Sequence, residues 1–136
     1  MFDDPEVVRL VHDWLEKADH DLAMANAGLK LGRNGPTDMT CFHAQQCVEK
    51  YVKALFIWRG QPVLRTHNLT ALVDRLNSAD RPDLSAAEQE LMTRYATVTR
   101  YPGDYAPISL TEARRAVAAA RRTRRFIRAR LPKQVL

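Results

Sequence analysis

The run Cys41-Phe42-His43-Ala44-Gln45-Gln46-Cys47-Val48-Glu49-Lys50-Tyr51-Val52-Lys53-Ala54-Leu55, continued by Phe56-Ile57-Trp58, is where the fold is decided. Set around a helix at about 100° per residue, Cys41, Ala44, Cys47, Val48, Tyr51, Val52, Ala54, Leu55, Phe56 and Trp58 cover roughly 200° of the circumference. A helix apolar over that arc touches several neighbours at once and sits at the centre of a bundle. The rest of its surface is a compact polar stripe, His43, Gln46, Lys50 and Lys53 with Glu49 beside it. Such a stripe suits a cleft or a partner subunit. The alternative is a solvated face braced by i, i+4 pairs.

Thr37 or Asp38 offers an N-cap before this helix and Gly60 a stop after it. Upstream, from Pro5 to about Leu31, Val7, Val11, Trp14, Leu15, Ala18, Leu22, Ala25 and Leu29 recur as one helical stripe. Gly32-Arg33-Asn34-Gly35-Pro36 ends it with turn chemistry. Downstream, Leu69, Leu72, Val73 and Leu76 mark a short third helix. A fourth starts near Ser85, with Glu88 placed to complete a capping box, and carries Ala87, Leu91, Tyr95 and Val98. A fifth starts near Ser109 or Thr111 and ends before Pro132, with Ala113, Ala116, Val117, Ala120, Ile127 and Leu131 turned inward. No segment reads as a strand, and short connectors favour antiparallel neighbours. The expected fold is all-α: an up-and-down bundle of four to five helices, one domain over residues 1–136.

With 136 residues, 46% hydrophobic and 27% charged, the chain can bury a core and has an ordinary globular composition. No run nears the roughly 18 apolar residues of a membrane span. Met1-Phe2-Asp3-Asp4-Pro5-Glu6 lacks the basic start and apolar run of a signal peptide, so a cytoplasmic location is expected. Cys41 and Cys47 diverge by about 240° on their helix, which prevents a mutual disulfide, and read as packing residues. His43 and Cys47 share a face, but two ligands without a second pair make a poor zinc site. No Gly-rich phosphate loop occurs, and no metal or cofactor is expected. The net charge of +5 is unevenly spread: residues 1–108 carry 12 Lys/Arg and 15 Asp/Glu, residues 109–136 carry 9 and 1. The positive field belongs to the last segment.

Residues 41–55 resemble the signature helix of the HEPN family (higher eukaryotes and prokaryotes nucleotide-binding domain). Phe42-His43-Ala44-Gln45-Gln46 with Glu49-Lys50 is the specific part. Trp14-Leu15-Glu16-Lys17-Ala18-Asp19-His20-Asp21-Leu22, Thr66-His67-Asn68-Leu69, Arg100-Tyr101-Pro102 and the Ala/Arg-rich last helix match in order, so the resemblance spans nearly the whole chain. It implies a helical bundle that pairs into homodimers, often with a small nucleotidyltransferase protein as partner. Some members bind nucleotides, and some are ribonuclease toxins of toxin–antitoxin pairs.

Ribonuclease members carry an Arg followed, after four to six residues, by a His, which could supply a cation and a base across a dimer. Here His12, His20, His43 and His67 all miss that spacing. Arg59 to His67 is one residue too long, Arg65 to His67 far too short, and Tyr105, Ala106 and Pro107 stand where a His would follow Arg100.

The residues expected to contact a nucleotide, RNA or partner are therefore His43, Gln46, Glu49, Lys50 and Lys53 of the stripe, with Arg100, Tyr101 and Tyr105 at the Pro102-Gly103 bend. Aromatics beside an Arg suit a base and its phosphate; packing beneath a turn is the alternative. His43, His67 and Arg100 are the catalytic candidates if the site is that of an altered ribonuclease, and both histidines fit hydrogen-bonded structural roles better. On the fifth helix Arg114, Arg121, Arg122, Arg125 and Arg128 spread over the outward side, suited to RNA, phosphate, an acidic partner or plain solvent. Arg124 falls in phase with the apolar stripe and needs an acid, which Asp13, Glu16, Asp19 or Asp21 could supply. The expectation is a binding module and not a complete enzyme. An altered ribonuclease toxin and a purely structural dimerisation unit are the alternatives.

Overall fold

The computed structural model describes residues 4–97, 102–103 and 106–136. Among them are five α-helices and no strand: α1 (Pro5–Lys30), α2 (Thr37–Trp58), α3 (Leu69–Arg75), α4 (Ala86–Thr97) and α5 (Leu110–Arg128). Short 3₁₀ turns cover Gly32–Asn34, Ser78–Asp80 and Lys133–Val135.

Local chemistry explains most boundaries. Asp4 accepts from the Glu6 amide and Pro5 occupies the first turn, where a missing N–H costs nothing, so α1 starts there. Asn68 caps α3 through Ala71. Ser85 and Glu88 exchange side-chain and backbone bonds at 3.1 and 2.9 Å, the expected capping box of α4. Ser109 caps α5 through the Glu112 amide at 3.0 Å. After α2, Gly60 adopts φ +69°, and the Gln61 amide reaches back to the Phe56 carbonyl at 2.9 Å, a Schellman ending.

Two expectations need correcting. Neither Thr37 nor Asp38 caps α2; Pro36 takes the N-cap place without a side-chain bond. The Thr37 hydroxyl instead donates to the Ile108 carbonyl at 2.7 Å, a tertiary acceptor that ties the approach to α5 onto the start of α2. On α4 the buried residues are Met92, Tyr95 and Ala96, while Ala87 and Leu91 are exposed. Met92, and not Leu91, fills the core; Val98 lies outside the described residues.

Helix α2 is the axle of the bundle. Cys41, Ala44, Cys47, Val48, Tyr51, Val52, Ala54 and Leu55 are fully buried, packed against α1, α4 and α5. Helix α1 runs antiparallel to α2 and approaches closely: a Cβ added at Gly28 would stand 2.1 Å from Thr40 Oγ1. Helix α5 lies antiparallel to α1 and closes the core with Ala113, Ala116, Val117, Ala120 and Ile127. Among the described residues no helix is long and apolar enough to cross a membrane.

Candidate binding seam

The polar stripe of α2 is half-buried and closes onto its neighbours. Asp21 of α1, only 8% exposed, points at it. One carboxylate oxygen faces His43 Nδ1 at 2.9 Å and the other accepts from Lys50 Nζ at 2.5 Å. His43 and Lys50 thus share a single carboxylate supplied by α1.

Lower on the stripe, Glu49 is the organiser. Its carboxylate is buried, accepts from Gln45 and from Lys53 Nζ (2.6 Å), and faces His67 Nδ1 at 3.0 Å. Gln46 donates in turn to the Gln45 carbonyl at 2.7 Å. Burial by itself would raise the Glu49 carboxyl, but the bonds from Lys53 and His67 outweigh it and hold the group below the usual carboxylate range. His67, at the start of α3, remains half exposed on its outer side.

A third cluster joins α1, α2 and α5. Asp19 accepts from the Tyr51 hydroxyl and from Arg124 Nε at 3.0 Å, with an Arg128 nitrogen 3.7 Å away. Arg124 therefore does meet an acid of the first helix. Two of the five arginines expected to face outward also meet acids: Arg128 on Asp19 and Arg122 on Glu88 at 2.5 Å. Arg114, Arg121 and Arg125 stay exposed. Cys41 and Cys47 are buried free thiols, and burial pushes the Cys41 thiol up to about 12 and Cys47 higher still, so neither is a nucleophile at neutral pH. Among the described residues no group of three His, Cys, Asp or Glu is placed to hold a metal ion. Arg100, Tyr101 and Tyr105 lie outside the described residues.

The profile of the HEPN domain matches residues 11–130, from the second turn of α1 to just beyond α5. The chain belongs to the HEPN domain family. The structure of TT1696 from Thermus thermophilus is similar, at 30% identity and TM-score 0.72, covering 90% of this chain and 99% of that one. That of ST0689, an archaeal HEPN homologue, superimposes with TM-score 0.67 at 24% identity, covering 88% and 96%, and bears on the fold alone. No curated protein matches the chain.

In this HEPN domain the Phe-His-Ala-Gln-Gln helix is a tie between elements: its His43 and Lys50 grip α1, and its Glu49 grips the start of α3. Both seam histidines face carboxylates. Arg59, the basic residue nearest in sequence before His67 apart from Arg65, is occupied by Asp80 through two bonds of 2.9 and 3.0 Å. Neither Asp21 nor Asp80 is among the site residues expected from the sequence. Asp21 has a readable signal, since it sits three after Ala18 and four before Ala25, inside the apolar stripe, the same anomaly that marks Arg124. Asp80 has none, because only the turn at Ser78–Asp80 swings it under α2.

Proposed function

We propose that this HEPN domain is a homodimeric binding module that recognises a nucleotide or RNA, a small nucleotidyltransferase partner, or both, and that it is not a self-contained ribonuclease. The observation that carries the reading is a face, not a single residue. Of the seven large hydrophobic side chains most exposed among the described residues, four (Leu10, Met24, Leu31 and Met39) lie on the α1–α2 hairpin. On α1, Leu10, Trp14, Lys17, Asp21, Met24 and Leu31 fall on one helical line, and Asp21 on that line holds His43 and Lys50. Apolar ends around a charged centre suit a protein interface better than open water.

Against catalysis by one chain, each seam histidine faces a carboxylate and Arg59 is held by Asp80. One combined experiment tests both halves. The mass by light scattering is expected to be twice that of a single chain, and to fall to one in the double variant Met24→Glu/Leu31→Glu. Radiolabelled RNA incubated with stoichiometric protein and chelator is expected to stay intact. Cleavage that disappears in both His43→Ala and Arg100→Ala would favour the toxin reading, and a monomer at all concentrations would remove the dimer.

A further inference from the structure

The seam between α1 and α5 is electrically uneven along its length. At one end Arg124 and Arg128 converge on Asp19. Two turns further along α1 the corresponding position is Asn26, whose side-chain oxygen accepts from Arg121. An amide there orients the guanidinium much as a carboxylate would, but it leaves the positive charge whole. The antiparallel register then carries Lys30, and Arg33 in the following 3₁₀ turn, to the end of the pair where α5 bears Arg114. Arg125 follows Arg121 by one turn on the same outward side.

Lys30, Arg33, Arg114, Arg121 and Arg125 are all exposed. Among the described residues none of them has a carboxylate within ion-pair distance. Exposed Ala23, Ala27 and Ala118 between them keep the face low. Phe126, the aromatic nearest in sequence, is covered by the Arg130 guanidinium 3.4 Å from its ring centre. Among the described residues an unpaired strand therefore finds no free ring on this face on which to stack its bases. What the face does match is a line of phosphates. From Arg114 to Arg125 the cations of α5 span about 16 Å of helix, and a duplex presents a phosphate every ~3.4 Å per strand.

We propose that this α1–α5 face docks the sugar–phosphate backbone of a double-helical nucleic acid, with Arg114, Arg121, Arg125, Lys30 and Arg33 contacting phosphates without sequence selection. Asn26 aims Arg121 without adding an opposing charge. This rests on the binding-module reading, whose nucleic-acid ligand it specifies, and it uses the side of α1 away from the apolar line.

Fluorescence anisotropy with a labelled 20-base-pair RNA duplex, the DNA duplex of the same sequence, and single-stranded RNA tests it. Both duplexes are expected to bind more tightly than the single strand, with a log–log salt slope of about −4.5 if all five cations meet phosphates. Reversing Arg114, Arg121 and Arg125 together to Glu is expected to weaken binding at least tenfold. A control with the same change in net charge, Arg9→Glu/Arg65→Glu/Arg75→Glu, is expected to weaken it less than threefold. Asn26→Asp, which places a carboxylate on Arg121, is expected to weaken binding severalfold and to make the slope shallower by about one phosphate contact.

Preference for one duplex over the other keeps the proposal and identifies the acid. Absence of binding to either duplex, equal loss in the two triple variants, tighter binding of the single strand, or equal competition by polyglutamate overturns it. Light scattering on the same samples keeps the two readings apart: a dimer that ignores nucleic acid sinks this proposal alone, and a monomer that binds duplex sinks only the dimer.

Discussion

Arg124 and Asp19 are separated by 105 residues in the chain and by 3.0 Å in the bundle. Tyr51 of α2 donates to the same carboxylate, so a single acid links the first, second and last helices. The carboxylate raises the Arg124 guanidinium further, although burial by itself would lower it. Asp19→Asn keeps the shape and removes the charge. It is expected to lower the unfolding free energy by about 1–2 kcal/mol, the pair being roughly one-third exposed and so partly screened. Urea denaturation of Asp19→Asn, Arg124→Met and the double variant should show a combined loss smaller than the sum of the two. Strict additivity would mean the link carries no coupling.

Gly28 lies at a close approach of α1 to α2. An alanine there would place its Cβ 2.1 Å from the Thr40 hydroxyl, so either Thr40 must turn or the helices must part. Helix propensity favours the alanine by about 1 kcal/mol, and overpacking opposes it by about 1–3 kcal/mol. The net expectation is a lower melting temperature for Gly28→Ala, restored in Gly28→Ala/Thr40→Ala. An unchanged Gly28→Ala melt would show that the contact relaxes at no cost.

Glu49 makes stability depend on pH in a definite direction. Its carboxyl is lowered in the fold, so its contribution is complete above the unfolded value near 4.5 and is lost as pH falls through the folded value. Wild type is expected to exceed Glu49→Gln in urea midpoint at pH 7, with the gap closing below about pH 4. Asp80, lowered by Arg59 in the same sense, adds to the acid sensitivity of both proteins and drops out of the difference. Parallel midpoints across that range would contradict the assignment.

Cys41 and Cys47 offer a probe of the core. Both are buried with thiols raised by burial, so iodoacetamide at pH 8 is expected to leave them unmodified in the native protein and to label both after unfolding. Mass spectrometry after timed exposure reads the result. Rapid labelling at either position in the native state would place that cysteine outside the core.

The helices are legible in the sequence because their signals are local. Apolar spacing, the Ser85–Glu88 box and Gly60 state where each helix starts, stops and turns its face. The central place of residues 41–55 follows from the width of its apolar arc, and the need of Arg124 for an acid from its phase. Which acid answers is not legible, because four candidates lie on α1 and only the crossing of α1 with α5 selects Asp19. The α4 stripe fails for a related reason. Leu91 and Met92 are both apolar neighbours, and the depth of the core chooses between them.

By itself the amino-acid order determined an all-helical chain, a central second helix and a basic last one, because periodicity and capping act over a few residues at a time. The tertiary structure decided what the charges do. Whether Lys50 and His43 reach solvent or a carboxylate depends on how α1 lies across α2, and the contrast between Arg128 on Asp19 and Arg121 on neutral Asn26 depends on how α5 lies along α1. Charge pairing requires groups within a few ångströms, and that proximity is set by helix packing across a hundred residues of chain.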